Sequence, residues 1–355
     1  MISVTKSILR SSASSATSST SSTASSTTRS FASMVSTLRG KHFISIDRLT
    51  NDELRGLLDL SKHLKQIYRG PSVDIAASKP KPLANHSVAM IFQKRSTRTR
   101  VSTETGMNLL GGQSLFLGPS DIQLGVNESM RDTAQVLSRF NTSILARVYG
   151  HDDVTELAKY ATVPVINALS DLHHPLQTLA DLMALEEHFG DESLNTKTLA
   201  WVGDGNNVLH DLLLGSVKLG MNVNIATPTG YEPNEKILEI ARQEASKTGA
   251  RIMQSTVAKE AVVGADVVVT DTWVSMGQEE EYKKRVADFE GYQVNSELMS
   301  HANSDAVFLH CLPRHQEEVS DEVFYSDQSL VFPEAENRMW TVMAVMAAQA
   351  GNVDF

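Results

Sequence analysis

Short apolar runs alternate along this chain with segments whose apolar positions recur at helical spacing. In the first half, the runs typical of buried strands are Val88–Phe92, Gln113–Leu117, Ile144–Val148 and Val163–Asn167. Helices are predicted between them at Arg98–Leu110, Ser129–Phe140 and Val154–Tyr160. Later strands are predicted at Thr198–Val202, Asn222–Thr227, Ala265–Thr270 and Ala306–Leu309, with a helix at Asn234–Lys247. This alternation favours parallel sheets covered by helices on both faces.

Two further helices frame the pattern. Thr50 and Glu53 form a capping box, after which leucines recur at helical spacing as far as Gly70. A long helix is predicted from Pro333 to Ala350. Because 355 residues exceed one ordinary core, we expect an α/β protein with two doubly wound parallel-sheet domains joined by helices. Their predicted extents are residues 41–188 and 189–332, and the C-terminal helix, within residues 333–355, returns to the first domain.

The first 40 residues differ in composition from the rest. They are rich in Ser and Thr, carry Lys6, Arg10, Arg29 and Arg39, and precede the first acidic residue, Asp47. This composition is typical of an organellar transit peptide and lacks the long apolar stretch of a secretory signal. We expect residues 1–40 to be a disordered, cleaved mitochondrial presequence that directs the protein to the matrix. Plastid import and a merely disordered polar tail are the alternatives.

Overall composition excludes several functions. A net charge of −10 leaves no extended basic face for nucleic acid. No apolar run approaches the roughly 20 residues that a membrane helix requires. Cys311 is the single cysteine, which rules out an internal disulfide, and no Cys/His spacing resembles a metal site.

A basic and hydroxyl-rich cluster stands out against this acidic background. It joins an apolar strand to a predicted helix and comprises Lys94, Arg95, Ser96, Thr97, Arg98, Thr99 and Arg100. Cations at a helix start oppose the helix dipole, whereas the free backbone N–H groups there bind anions. The segment contains no glycine and so cannot be a Gly-rich P-loop. Phosphate binding explains the cluster better than a solvated basic helix start.

Three polar residues of the first half are further candidates for ligand contact. Arg147 lies inside an apolar strand, where an unpaired cation is costly, so a ligand-facing role is favoured over an ion pair with a nearby carboxylate. His174 and Gln177 flank Pro175 on one face of a first helical turn. Together they can present a ring nitrogen and an amide to a small carbonyl compound.

In the second half, the candidates match the groups of an amino acid. Asp271 ends a strand and can accept from an ammonium group, and Ser275, four residues later, can donate to a carboxylate. Asn206 and Asn207 are predicted to cap the next helix, and Asn207 also to offer its amide to a carboxylate.

Two familiar site types are excluded here. A dinucleotide fingerprint begins at Gly203, but its third glycine would fall at Val208. His310 and Cys311 are adjacent on extended chain and point to opposite faces, so they form no nucleophilic dyad, and His310 is predicted to be structural.

Together these motifs resemble one enzyme family. Ser96–Arg100, followed by Ser102, Thr103 and Glu104, resembles the carbamoyl phosphate signature of the aspartate and ornithine carbamoyltransferase superfamily. The His-Pro-x-Gln element at residues 174–177 matches it as well. Asp271 with Ser275-Met276-Gly277, and the segment His310-Cys311-Leu312-Pro313, resemble the ornithine branch.

The resemblance implies conversion of carbamoyl phosphate and L-ornithine to L-citrulline and phosphate, without metal or organic cofactor. It implies phosphate binding by Ser96, Thr97, Arg98 and Thr99, and polarisation of the carbonyl by Thr99, Arg147, His174 and Gln177. For ornithine it implies contacts from Asn207, Asp271, Ser275, Met276 and Leu312. Cys311 is the expected proton acceptor or relay, and Arg338 is expected to close over the carbamoyl group. A homotrimer is implied in which the Gln123 loop reaches a neighbouring site.

Two other functions are consistent with the sequence. The acceptor could be another amine, namely putrescine or an N-acylated ornithine, although Asp271 and residues 275–277 favour a free α-amino acid. Alternatively, the chain could be a catalytically silent partner of another arginine-pathway enzyme.

Overall fold

A computed structural model describes residues 30–69, 79–121, 128–191, 193–274 and 279–353. Its first sheet consists of β1 (Ser87–Phe92), β2 (Gln113–Leu117), β3 (Ser143–Arg147) and β4 (Val165–Leu169). The strands are all parallel, in the order β2-β1-β3-β4. Central strand β1 is apolar along nearly its whole length because both of its faces are covered, and Val88 to Phe92 are buried.

The described part of this first half contains six α-helices: α1 (Phe31–Val35), α2 (Asn51–Arg69), α3 (Thr97–Leu109), α4 (Met130–Phe140), α5 (His151–Tyr160) and α6 (Pro175–Phe189). The predicted capping box at the start of α2 is present. The Glu53 amide donates to Thr50 Oγ1 over 3.1 Å, and the Thr50 amide donates to Glu53 Oε2 over 2.8 Å. Reciprocal bonds of this kind satisfy two donors that a helix start otherwise leaves unpaired.

The second sheet has five parallel strands: β5 (Thr198–Val202), β6 (Asn222–Ala226), β7 (Ile252–Ser255), β8 (Val267–Thr270) and β9 (Val307–His310). Their order is β7-β6-β5-β8-β9. The accompanying helices are α7 (Asn207–Lys218), α8 (Glu235–Thr248), α9 (Ala258–Val262), α10 (Tyr282–Asp288), α11 (Ser296–Met299) and α12 (Asp321–Phe324). The expected architecture of two parallel-sheet α/β domains is confirmed.

Helices α6 and α7 pack closely at the junction of the domains. A side chain at Gly215 would bring its Cβ within 2.8 Å of Thr178 and 2.9 Å of Leu182, so only glycine permits this approach. The last helix, α13 (Val331–Ala350), packs on α2, α3 and α6, as predicted for a helix that returns to the first domain. No helix in the described segments is long and apolar enough to span a bilayer.

The disorder predicted for residues 1–40 is wrong for residues 30–40. Helix α1 packs on α2, Val35 is fully buried and Leu38 is nearly so. The Thr37 hydroxyl donates to the Glu53 carboxylate, and the Gly40 amide donates to the Gln349 carbonyl over 2.9 Å. These contacts make residues 30–40 part of the folded first domain.

Candidate active site

The candidate site is a cavity of 610 Å³ at the carboxyl ends of both sheets. Its wall is formed by the last residues of β3 and β4 and by residues that follow β1, β8 and β9, together with the starts of α6 and α7 and one residue of α13. Ligands collect at this edge in parallel α/β sheets, where the strands end. The predicted site residues on its wall are Ser96, Thr97, Arg98, Thr99, Arg147, His174, Asn207, Asp271, Cys311, Leu312 and Arg338.

At one end of the cavity lies the start of α3. The Ser96 hydroxyl accepts from the Thr99 amide over 3.2 Å and caps the helix, which begins at Thr97. Beyond that bond, the first N–H groups of the helix have no partner inside it and can bind an anion. Arg98 donates to the Leu312 carbonyl, which links α3 to the second domain. Arg100 faces away, since it pairs with Glu104 and stacks on the Phe116 ring at 3.7 Å.

Arg147, the last residue of β3, points a buried guanidinium at the same end. Its Nε has no hydrogen-bond partner among the described residues. Burial, together with the nearby charges of Arg338 and Arg98, lowers the pKa of Arg147 to about 10. The residue therefore stays cationic at neutral pH, and the alternative of an ion pair with a nearby carboxylate is not seen in the described part of the chain.

His174 lies immediately before α6 and is almost fully buried. Its backbone amide donates to Asp211 Oδ2 over 2.7 Å, while its ring Nδ1 has no partner in the described segments. Burial and the charges of Arg338, Arg147 and Arg98 hold the pKa of His174 well below its usual value. The ring is therefore neutral at physiological pH, and a neutral imidazole can donate one hydrogen bond to a ligand oxygen.

Gln177, in the first turn of α6, lies next to Arg338. Its amide nitrogen donates to Asp181 and Glu334, and its oxygen accepts from Arg338 Nη1 over 2.7 Å. Among the described residues, the cavity wall includes Arg338 but not Gln177. Arg338 Nη2 also donates to Thr99 Oγ1 over 3.2 Å. The direct contact expected between Gln177 and a carbonyl ligand therefore stays a prediction.

Asp271, which follows β8, is contributed to the cavity wall by the second domain. Burial raises the pKa of its carboxyl to about 6, against the opposing effect of His310. Asn206 Nδ2 donates to Asp271 Oδ2 over 3.0 Å while Asn206 Oδ1 caps α7. The sequence predicted the cap but not the contact with Asp271. Asn207 lines the cavity and donates to the Ser170 carbonyl.

The segment after β9 completes the wall. Both ring nitrogens of His310 are bonded, Nε2 to Glu318 at 3.1 Å and Nδ1 to the Leu312 amide at 2.9 Å, which agrees with a structural role. Burial and the adjacent Asp271 raise the pKa of the Cys311 thiol well above its usual value. The thiol is therefore neutral at physiological pH, which suits a relay better than a primary proton acceptor.

Several residues on the wall were not predicted: Trp273, Tyr282, His315, Glu317 and Glu318. Most belong to loops without a periodic pattern, so their proximity depends on the fold. Three predicted residues, Gln123, Ser275 and Met276, lie outside the described residues.

Comparison with known proteins identifies the class. The carbamoyl-phosphate-binding domain model of aspartate/ornithine carbamoyltransferases matches residues 41–187, and the Asp/Orn-binding domain model matches residues 195–349. The chain therefore belongs to the aspartate/ornithine carbamoyltransferase family. A similar solved structure, ornithine carbamoyltransferase from Pyrococcus furiosus, superposes with a TM-score of 0.84 at 45% identity, covering 89% of this chain and 99% of that one.

Curated relatives refine the assignment within the family. Mitochondrial ornithine transcarbamylase of Gallus gallus is 52% identical over 88% of this chain and 86% of its own length. Mitochondrial ornithine carbamoyltransferase of Schizosaccharomyces pombe is 48% identical over 87% and 94%, respectively. These relatives place the chain with the ornithine carbamoyltransferases.

Proposed function

We propose that this protein transfers the carbamoyl group of carbamoyl phosphate to the side-chain amine of L-ornithine, which yields L-citrulline and phosphate. The observation that carries the proposal is the polarity of one cavity. Arg147 and the start of α3 belong to the first domain and Arg338 to the helix packed on it, whereas the carboxyl of Asp271 comes from the second domain. A phosphate anion fits the cationic group and an ammonium group fits the carboxyl.

Carbamoyl phosphate is proposed to bind first-domain groups. Ser96, Thr97, Arg98 and Thr99 hold its phosphate through hydroxyls, one guanidinium and the N–H groups of the α3 start. Binding an anion there also offsets the repulsion among the cations of this end. The site near α3 therefore gains more from a doubly charged phosphate than from a neutral ligand.

Arg147, His174 and Arg338, with the Thr99 hydroxyl, are proposed to surround the carbonyl oxygen. Negative charge grows on that oxygen when the amine attacks, and preorganised donors stabilise it most in the transition state. Because the His174 ring is neutral, it can donate one N–H hydrogen bond to the oxygen without first giving up a proton. Removing one such donor typically lowers the rate on the order of a hundred-fold.

Ornithine is proposed to bind with its α-ammonium at Asp271 and its α-carboxylate near Asn207 and Ser275. Met276 and Leu312 are proposed to contact ornithine as well. The side-chain amine has to be neutral before it attacks, whereas a free alkyl ammonium has a pKa of about 10.4. We assign Cys311 to relaying that proton from the amine to the departing phosphate, because its thiol lines the cavity beside Asp271.

The test is to incubate the purified protein with carbamoyl phosphate and one acceptor at a time: ornithine, putrescine, aspartate or N-acetylornithine. Turnover is measured as the release of phosphate and the formation of a ureido product. Citrulline from ornithine alone is expected, because Asp271 is ionised above about pH 6 and pairs with a free α-ammonium. Turnover of putrescine or N-acetylornithine would transfer the assignment to that amine. No turnover with any acceptor would favour a silent regulatory partner.

We also propose a homotrimer in which the Gln123 loop reaches a neighbouring site. Supporting it, Val101, Leu115 and Phe140 expose 54%, 49% and 74% of their surface on the first domain, and an interface between chains would remove this apolar surface from water. Light scattering is expected to give three times the chain mass. A monomer at micromolar concentration would refute the arrangement.

The mitochondrial matrix is the proposed location. The proposed structural divisions are residues 41–188, extended by the folded residues 30–40, then 189–332 and 333–355. The acid-free, Ser/Thr-rich start of the chain and the mitochondrial relatives support this location. Residues 1–40 fused to a fluorescent protein are expected to direct it into a protease-protected matrix fraction. A cytosolic or plastid signal would contradict the location.

A further inference from the structure

Behind the cavity, two carboxyl groups are buried side by side. Asp181 projects from α6 and Glu334 from α13, and each exposes 2% of its surface. Both accept from the Gln177 amide nitrogen, over 2.7 Å in the case of Asp181. Glu334 Oε2 also accepts from the His310 amide over 3.1 Å. The mechanism above uses neither carboxyl, so their burial at this place requires another explanation.

Hydrogen-bond counting shows that the two groups share one proton. The carboxyl of Asp181 is hydrogen-bonded to that of Glu334, and two ionised carboxylates cannot bond to each other. Burial raises the pKa of both groups, so a proton is retained at neutral pH. The proton can lie on either carboxyl, so the pair together carries a single negative charge.

This arrangement fixes the orientation of the Gln177 amide. Because both of its N–H bonds point at carboxyl groups, its oxygen has to face the other way, towards Arg338. Arg338 then donates through Nη1 to Gln177 and through Nη2 to Thr99. The single negative charge of the pair also balances the charge of this fully buried guanidinium.

We propose that Asp181 and Glu334 form a positioning pair that shares one proton, orients the Gln177 amide and thereby holds Arg338 at the carbamoyl end of the cavity. The proposal rests on the proposed function, in which Arg338 contacts the carbamoyl group. Neither carboxyl touches a reacting atom. Their effect on the reaction passes through Gln177 and Arg338.

The test compares three substitutions that differ in the hydrogen-bond donors they place between Asp181, Glu334 and Gln177. Asp181→Asn still donates one N–H to Glu334 and still accepts from Gln177, so kcat is expected to stay within about three-fold of wild type. Asp181→Ala removes both bonds and is expected to lower kcat roughly a hundred-fold, as for loss of one transition-state donor. Glu334→Gln directs an N–H at the His310 or Gln177 amide, and a similar loss is expected. KM for ornithine should change little in all three.

Glu186→Gln is the matched control. Glu186 is also buried on α6, but it pairs with Lys62 at 2.9 Å and Arg55 at 3.3 Å, away from the cavity. Its substitution is expected to lower Tm without changing kcat. Equal losses for Asp181→Asn and Asp181→Ala would overturn the shared proton. Wild-type kcat in Asp181→Ala and Glu334→Gln would overturn the positioning role.

An infrared measurement separates this proposal from the proposed function. At neutral pH the wild type and the Glu186→Gln control should show the C=O stretch of a protonated carboxylic acid, and Asp181→Asn should lose it. That band does not depend on turnover. If the wild type forms no citrulline but the band behaves as expected, the proposed function fails while the proton assignment stands. Absence of the band in the wild type overturns the assignment.

Discussion

The contact between Asn206 and Asp271 predicts a specific pH dependence. Substituting Asn206 by Ser keeps an oxygen that can cap α7, but the shorter side chain no longer donates to Asp271. A hydrogen bond to a charged group contributes about 1.5–3 kcal/mol, and one pKa unit corresponds to 1.36 kcal/mol. The lost bond stabilised the ionised carboxylate. The pKa of Asp271 should therefore rise from about 6 to roughly 7–8.

Only the ionised carboxylate can bind the α-ammonium of ornithine, so the substitution should be costly at low pH and harmless at high pH. The measurement is kcat/KM for ornithine in variant and wild type between pH 5.5 and 9. Taking the ratio cancels the titration of the substrate amine. We expect a ratio near one at pH 9 and roughly ten-fold lower at pH 6, from the pKa shift above.

Asn234→Ser is the control for this experiment. Asn234 caps α8 through a bond to the Lys236 amide over 3.0 Å and plays no part in the cavity wall described above. Its ratio to wild type should not vary with pH. A flat ratio for Asn206→Ser as well would refute the reasoning, because the carboxyl that binds ornithine would then not be the one that Asn206 stabilises.

Three further predictions concern the first domain and its junction with the second. Val35→Ala should lower stability by about 2 kcal/mol in thermal unfolding, because Val35 is fully buried although it lies in the predicted leader, and an unchanged Tm would contradict that packing. Arg147→Met removes a buried cation, so the Tm of the ligand-free protein should rise. The variant should lose the Tm increase that carbamoyl phosphate produces, and its kcat should fall at least a hundred-fold. An unchanged kcat would exclude the proposed role of Arg147. In Asp211→Asn, one N–H of the new side chain would point at the backbone N–H of His174 or Ile46, so one of these two hydrogen bonds is lost. We expect kcat to fall roughly ten-fold or more because His174 would be displaced. Wild-type kinetics would contradict this.

Sequence patterns predicted those helices and strands whose own residues show a clear apolar run or periodicity. Strand β1 is covered on both faces, so its apolar run is continuous and unambiguous. Strand β7 was missed because it is an edge strand of four half-exposed residues and shows no such run. In residues 30–40, the abundance of Ser obscured a helical signal, since Phe31, Val35 and Leu38 recur at the spacing of one helix face.

The candidate site was predictable where a short motif carries it, as at the start of α3. It was not predictable where partners are far apart in the chain. Asp211 accepts from the Ile46 amide, 165 residues away, and Gln177 contacts Glu334, 157 residues away. Such pairs leave no local pattern, because each residue alone looks like an ordinary polar position on a helix. Only the fold shows that these residues orient His174 and Arg338.

The distribution of charge in the cavity gives a physical reason for using two domains. Arg98, Arg147 and Arg338 repel one another, and His174 is kept neutral by its burial and by the same charges. The two arginines proposed to bind carbamoyl phosphate from the first domain do not depend on the second sheet for their position in the chain. The carboxyl of Asp271, in contrast, reaches the cavity only through the second domain. In the proposed reaction, the relative placement of the domains would set the distance between the carbonyl carbon and the attacking amine. The Arg98–Leu312 bond and the Asp211–His174 bond both cross that junction, so each of them helps to hold the two domains in place.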